Sequence, residues 1–306
     1  MKLLATISYW RRHFSPRDFR FFKLLIADWW RPILPAPHKP DPQGWPNEAI
    51  TGAWLGHATV LINFFGVKIL ADPVLGVRCG LRVGPMTIGP KRYVRPALKV
   101  RELPPVDLVL LTHAHMDHLD WWTLKRLPRN PHGTQAITAR ATGDLLIGMG
   151  FSKVTELNWG DATNVQTTSG EVRVEAFRVN HWGARMRHDT HRGYNGYLIE
   201  RNDRRICVTG DTSMTDFSHV RKRGGIDLMV VPIGAYNPWI ASHCTPEQAI
   251  AMANQAGAKR LLPVHHQTFK LSAEPLHEPI DRFTRALENE PQRIAAKQIG
   301  ETFTVS

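Results

Sequence analysis

The sequence has few cysteines and no long hydrophobic run. Only three cysteines occur in 306 residues, at positions 79, 207 and 244, and none belongs to a CxxC pair. An odd number of widely separated cysteines does not form a disulfide framework and favours a reduced, cytoplasmic protein. Because no apolar run reaches about 18 residues, no transmembrane helix is predicted. The N-terminus lacks a small-residue cleavage site, so no secretory signal is predicted.

Negative charge is also scarce, and the net charge is +12. Such an excess attracts anionic partners such as nucleic acid, phospholipid headgroups or phosphorylated metabolites. Residues 1–31 contain seven Lys/Arg interleaved with aromatic residues. This arm either lies in a membrane interface, which would make the protein peripheral to the inner face of the membrane, or packs its apolar residues on the main domain.

Prolines are concentrated in one segment, with six of them in residues 32–46. Such a segment is typical of an extended linker or of a strap along the surface. We therefore divide the chain into an arm and linker over 1–48 and one globular domain over 49–306.

A short segment between Leu111 and Asp120 contains four metal-ligand side chains. They are His113, His115, Asp117 and His118. Imidazole and carboxylate suit a divalent ion such as Zn²⁺. Four ligands so close together cannot easily all serve one tetrahedral ion, but they could serve two neighbouring ions. The apolar run 106–112 predicts a buried strand before them, and residues 119–127 have helical spacing. Ligands of open α/β sheets bind at such strand ends.

Further predicted strands also end at ligand-type residues. Strands mixed with amphipathic helices give an α/β class with buried sheets. The strand over 172–179 leads to His181, the one over 205–209 to Asp211, and the one over 260–264 to His265 and His266. Strand alternation sends the last two histidines to opposite sides, so only one of them faces a metal. Helical spacing is also present over 139–149, 246–256 and 279–288, and Thr245 is predicted to cap the second of these helices.

The order His-X-His-X-Asp-His, a distant His, Gly-Asp-Thr and a last His resembles the metallo-β-lactamase superfamily over roughly residues 50–270. The resemblance implies a four-layer αβ/βα sandwich and two divalent metal ions, Zn²⁺ by default, with Mn²⁺ or Fe as alternatives. It implies that the first metal is bound by His113, His115 and His181, the second by Asp117, His118 and His265, with Asp211 bridging them. A hydroxide shared by the metals would attack the substrate.

Other segments resemble the branch of N-acylphosphatidylethanolamine-hydrolysing phospholipases D and their bacterial relatives. They are Trp54–Val60, Asp72-Pro73, His181-Trp182, Pro232–Tyr236 and Pro246-Glu247. This resemblance implies hydrolysis of a lipid phosphodiester. The catalytic residues would be Asp117, Asp211 and His243, and His243 would contact the phosphate. Asp72 would orient a ligating histidine and Tyr236 would line the mouth of the site. His57 either takes part in function or is only a structural histidine in the core or at the end of a strand.

The chain departs from this branch at His266-Gln267, where the branch tends to have Trp-Gly. Two other classes therefore stay open: a hydrolase of a small anionic metabolite, such as a lactone phosphate or a thioester, and a nucleic-acid phosphodiesterase or non-catalytic binding protein. No RNA-binding motif is present, so no nucleic-acid partner is expected. The oligomeric state is not indicated. Five histidines without motif context are expected at the surface: His132, His188, His191, His219 and His277.

Overall fold

Two mixed β-sheets dominate the part of the chain that a computed structural model describes, namely residues 28, 30–186, 188–221 and 225–305. The basic arm predicted over residues 1–31 lies outside this part except for Asp28, Trp30 and Arg31. No helix among the described residues has both the length and the apolar character needed to cross a bilayer.

The first sheet has seven strands. They are β1 (Ile50–Gly56), β2 (Thr59–Phe64), β3 (Val67–Ala71), β6 (Leu108–Leu111), β7 (Gln135–Ala139), β8 (Lys153–Leu157) and β15 (Thr302–Val305). Their order is β15-β1-β2-β3-β6-β7-β8, antiparallel up to β3 and parallel from β3 to β8. A separate hairpin, β4 (Leu81–Val83) and β5 (Met86–Ile88), lies between β3 and β6 in the chain.

The second sheet has six strands. They are β9 (Ala162–Thr167), β10 (Gly170–Phe177), β11 (Gly196–Arg201), β12 (Arg204–Val208), β13 (Ile226–Pro232) and β14 (Ala258–Val264). They follow one another in chain order, antiparallel from β9 to β12 and parallel from β12 to β14. The parallel strands β12, β13 and β14 therefore end at one edge.

The α-helices of the described residues are short: α1 (Trp121–Arg126), α2 (Ser218–Arg221), α3 (Pro246–Ala256) and α4 (Glu278–Ala286). Helix α3 has the bounds and the cap that the sequence predicts. The hydroxyl of Thr245 accepts from the backbone N–H of Gln248, whose side chain accepts from the N–H of Thr245. This reciprocal capping satisfies two N–H groups that a helix start leaves unpaired.

Strand alternation divides the apolar residues between two cores. On β11 and β13, Ile199 and Val230 belong to the cluster between the two sheets. Their neighbours Leu198 and Met229 belong to a second cluster with residues of α2, α3 and α4. The fold is thus an α/β sandwich with helices outside the second sheet.

The proline-rich segment 32–46 runs along the body of the protein. Leu34 forms a β-bridge with Val94, and the N–H of His38 donates to the carbonyl of Ile299. It follows the surface as a strap.

The prediction of a helix over residues 139–149 is wrong. Residues 135–139 form β7, and only Gly143–Leu146 form a 3₁₀ turn. Gly148 and Gly150 have positive φ values, which end helical winding. The carboxylate of Glu156 accepts the backbone N–H groups of residues 141–143 at 2.7–3.1 Å, so this segment is held as a loop.

The buried strand β6 carries the metal-ligand loop, so we expect its packing to dominate stability. Leu110→Ala removes a fully buried side chain and should lower the free energy of unfolding by about 2–5 kcal/mol, measured in denaturant. Ile147→Ala, at an exposed site, is the matched control. Equal effects of the two substitutions would contradict the packing described here.

Candidate metal centre

The candidate site lies where strands of both sheets end. Strands β3 and β6 of the first sheet lead to Asp72 and His113, and β12 and β14 of the second lead to Asp211 and His265. His113 also forms a β-bridge with Tyr194 just before β11. The loops that the sequence singled out therefore meet between the sheets.

Two further hydrogen bonds join the sheets beside the site. The buried hydroxyl of Tyr197 donates to the carbonyl of Leu111 at 2.9 Å, and the N–H of Asn195 donates to the carbonyl of Thr112 at 2.9 Å. Glycine is required at 210, where φ is +61° and an added Cβ would lie 2.7 Å from Cβ of Thr112. The two strand ends are therefore in close contact.

Three histidines form one side of the cluster. His113 Nε2 lies 2.8 Å from His115 Nδ1, which lies 3.3 Å from His181 Nε2. These nitrogens converge on one point, as the ligands of a metal ion do.

A second group lies around Asp117. Its Oδ2 is 3.0 Å from His57 Nε2, 3.3 Å from His265 Nε2 and 3.8 Å from His118 Nε2. His57, which the sequence left between two roles, is thus part of the cluster and contacts Asp117 directly.

Asp211 lies between the two groups. Its Oδ2 is 3.1 Å from His118 Nε2 and 3.2 Å from His265 Nε2, and 3.8 Å from His181 Nε2 on the other side. Its Oδ1 is buried without a hydrogen-bond partner in the described structure. A buried carboxylate oxygen in this state has the capacity to bind a cation.

Partners outside the cluster orient two of the rings. Asp72 Oδ2 lies 2.8 Å from His118 Nδ1, and the carbonyl of Ser242 lies 2.9 Å from His181 Nδ1. Each contact gives Nδ1 a partner for its proton, so that Nε2 faces the cluster.

Burial makes three histidines neutral. It lowers the pKa of His181 to about 3 and that of His115 to about 4, and it lowers the pKa of His113 well below its usual value. Neutral imidazole is the form that binds a metal ion.

Two other histidines, His118 and His265, are positively charged because carboxylates surround them. Burial alone would lower the pKa of His265, but Asp211 and Asp117 raise it to about 9, and Asp211 and Asp72 raise the pKa of His118 well above its usual value. The same charges hold the pKa of Asp117 and Asp211 well below the usual range, although burial opposes this. The cluster therefore favours cations, protons or metal ions alike.

His243 completes this face of the cluster. Its ring centroid lies 5.2 Å from that of His181 and 5.4 Å from that of His265. Nδ1 is buried, has no hydrogen-bond partner in the described structure and is 3.9 Å from Asp211 Oδ2. The ring is thus placed beside the cluster with an uncommitted nitrogen.

The adjacent histidine pair separates as expected, but not by strand alternation. Strand β14 ends at Val264 and His265 has a φ of +63°, so a left-handed residue turns its ring to the cluster. The ring of His266 packs on Trp54 at 4.4 Å.

The hydroxyl of Tyr236 bonds to two side chains of α4. The hydroxyl donates to Glu278 at 2.7 Å and accepts from Arg282 at 3.2 Å. The five histidines expected at the surface are all exposed: His132, His188, His191, His219 and His277.

Arg185 is a residue that the sequence did not indicate. Its guanidinium Nη1 donates to the carbonyls of Ala114 and Leu119, both at 2.9 Å, and therefore holds the metal-ligand loop at both ends. Contacts to backbone carbonyls leave no signal in the residue types of the loop.

Comparisons with known proteins identify the family. The model of the β-lactamase superfamily domain matches residues 68–266. The chain is 30% identical over 291 residues to N-acyl-phosphatidylethanolamine-hydrolyzing phospholipase D 1 of Caenorhabditis elegans, covering 87% of this chain and 81% of that protein. It is 26% identical to the mitochondrial enzyme of that name from Saccharomyces cerevisiae, covering 78% of this chain and 52% of that protein.

A similar solved structure is that of a metallo hydrolase from Ignicoccus hospitalis. The TM-score is 0.63 at 18% identity, and the match covers 84% of this chain and 99% of that one. This likeness supports the sandwich fold. The chain therefore belongs to the metallo-β-lactamase superfamily and is a metal-dependent hydrolase with a histidine and aspartate cluster able to bind metal.

Proposed function

We propose that the chain is a dinuclear metal-dependent phosphodiesterase acting on a phospholipid of the N-acyl phosphatidylethanolamine type. The observation that carries the proposal is the position of Asp211 between two groups of ligand-type side chains. The identity to the Caenorhabditis elegans phospholipase supports the substrate class.

The proposed ligands follow from the two groups. His113, His115 and His181 are assigned to one ion, Asp117, His118 and His265 to the other, and Asp211 to both. His57 is assigned to orient Asp117 through their 3.0 Å contact, and Asp72 to orient His118.

The donor set fits divalent ions of the zinc type. Tetrahedral ligands at about 2.0–2.1 Å from zinc lie roughly 3.3 Å from one another, and the ring nitrogens of the first group are spaced at 2.8 and 3.3 Å. The neighbouring carboxylates raise the pKa of His118 and of His265, which agrees with a pocket that attracts cations. Zn²⁺ suits imidazole and carboxylate best, while Mn²⁺ and Fe accept the same set.

When bound, two such ions would acidify a water molecule and polarise the phosphoryl oxygens. In the hydrolysis, the oxygen of water becomes bonded to phosphorus, one ester P–O bond breaks, and the departing alcohol takes up a proton. His243 retains one N–H even when neutral and is assigned to donate it to a phosphoryl oxygen.

Apolar side chains on the loops around the site support a lipid substrate. Trp182 packs on the rings of His115 and His181 at 4.8 and 4.4 Å and is partly exposed. Trp239 and Ile240 are exposed on the loop that leads to His243. Exposed apolar residues beside a polar cluster suit a substrate with both a phosphate and an acyl chain.

A cytoplasmic location, at the inner face of the membrane, is part of the proposal. The free thiols Cys79, Cys207 and Cys244 are all buried, which agrees with a reducing compartment.

Asp211→Ala should abolish hydrolysis and lower the metal content, because it removes the shared carboxylate. Elemental analysis of the purified protein and hydrolysis of bis-p-nitrophenyl phosphate measure both effects. Asp281→Ala, an exposed carboxylate on α4, is the matched control. Full activity of the Asp211 variant would refute its bridging role.

His265→Ala should remove mainly one of the two metal ions, whereas His266→Ala should keep both. The reason is that only the ring of His265 faces the carboxylates. Metal-to-protein ratios of the two variants measure this directly. Equal metal loss in both would refute the assignment of His265.

The substrate class is tested by comparing bis-p-nitrophenyl phosphate, N-acyl phospholipids, lactones, thioesters and single-stranded DNA with the same metal-loaded protein. We expect the N-acyl phospholipid to have the highest kcat/KM, and its phosphorus-containing product identifies which P–O bond breaks. Preference for a lactone, a thioester or DNA would replace the proposed substrate by one of the alternative classes.

A further inference from the structure

The β4–β5 hairpin presents an apolar face to solvent. Its register pairs Leu81 with Ile88 and Val83 with Met86, and directly paired residues lie on the same face of a sheet. These four side chains are 45–58% exposed. An exposed apolar face of this kind is typical of an interaction surface.

A cavity of about 790 Å³ lies beside the hairpin. Its lining includes Met86 and Ile88 from the hairpin, Val77 before it, Trp122 of α1, and Trp30, which is 86% exposed. The cavity and the apolar face form one continuous surface, which we call the hairpin face. Its size and lining suit an extended hydrocarbon chain.

The hairpin face carries three arginines. Arg78 and Arg126 line the cavity and Arg82 lies on β4, while the one carboxylate of the cavity lining, Asp120, caps α1. The guanidinium of Arg82 stacks over Trp121 at 4.1 Å, and that of Arg126 over Trp122 at 4.7 Å. Apolar side chains bordered by arginines match a bilayer surface that carries anionic headgroups.

The hairpin face also lies next to the metal-ligand loop. Helix α1, on which Arg82 stacks, begins three residues after His118. Asp120 caps this helix through the N–H groups of Trp122 and Thr123 and also lines the cavity.

We infer that the hairpin face docks on an anionic phospholipid bilayer, with a lipid acyl chain in the cavity. The biological purpose of this contact rests on the proposed lipid substrate, but vesicle binding itself does not depend on the metal chemistry. The alternative occupant, a second copy of the chain, is disfavoured by charge. A two-fold contact through this face would bring the arginines of the two copies together.

The test is binding of the full chain to vesicles of phosphatidylcholine with or without phosphatidylglycerol. We expect binding only with phosphatidylglycerol, weakened by salt. The double variant Val83→Asp/Met86→Asp should have an affinity for these vesicles that is lower by about tenfold or more, because it removes two apolar side chains from the contact. Val154→Asp, at an exposed position of the edge strand β8, is the matched control and should bind normally.

Hydrolysis of water-soluble bis-p-nitrophenyl phosphate by the double variant shows that it is folded. Unchanged vesicle binding by the double variant would overturn the inference, as would a dimer that the variant dissociates. Wild-type protein that cleaves the soluble diester without binding vesicles overturns the docking face and leaves the proposed function. Vesicle binding without cleavage of any phosphodiester overturns the function and leaves the face.

Discussion

The candidate metal centre depends on the buried carboxylate of Asp72. This carboxylate accepts from the N–H of Thr112 at 2.8 Å, from the Thr112 hydroxyl at 2.7 Å, and contacts His118 Nδ1 at 2.8 Å. A charge buried this deeply is tolerated only when its oxygens are fully bonded. These bonds connect the ends of β3 and β6 and fix the direction in which His118 points. The same carboxylate therefore stabilises the pairing of the two strands and the orientation of the ring.

Several strands next to the site could be predicted because they are mostly apolar. Ile50–Gly56, Thr59–Phe64 and Ile226–Pro232 are buried along their whole length, as their composition indicates. Strands at the edges escaped prediction for the opposite reason. Most of Lys153–Leu157 is solvent-exposed, and its composition resembles that of a loop.

Much of the candidate site could also be predicted, because histidine and aspartate are recognisable as metal ligands when they follow the ends of predicted strands. The geometry around them could not. His265 turns to the cluster through a left-handed backbone, which period-two alternation does not describe. Arg185 and the carbonyl of Ser242 act through backbone atoms, and every residue has a carbonyl. Such contacts become visible only when the chain is folded.

The proposed ligands come from both sheets: His113, His115, Asp117 and His118 follow a strand of the first, while His181, Asp211 and His265 follow strands of the second. A cation held by this set crosslinks the two halves of the sandwich much as a disulfide would, but reversibly. By mass action, a ligand that binds only the folded state stabilises it in proportion to the logarithm of its free concentration. The melting temperature of the protein should therefore rise with the free metal concentration around it, and chelation should lower it.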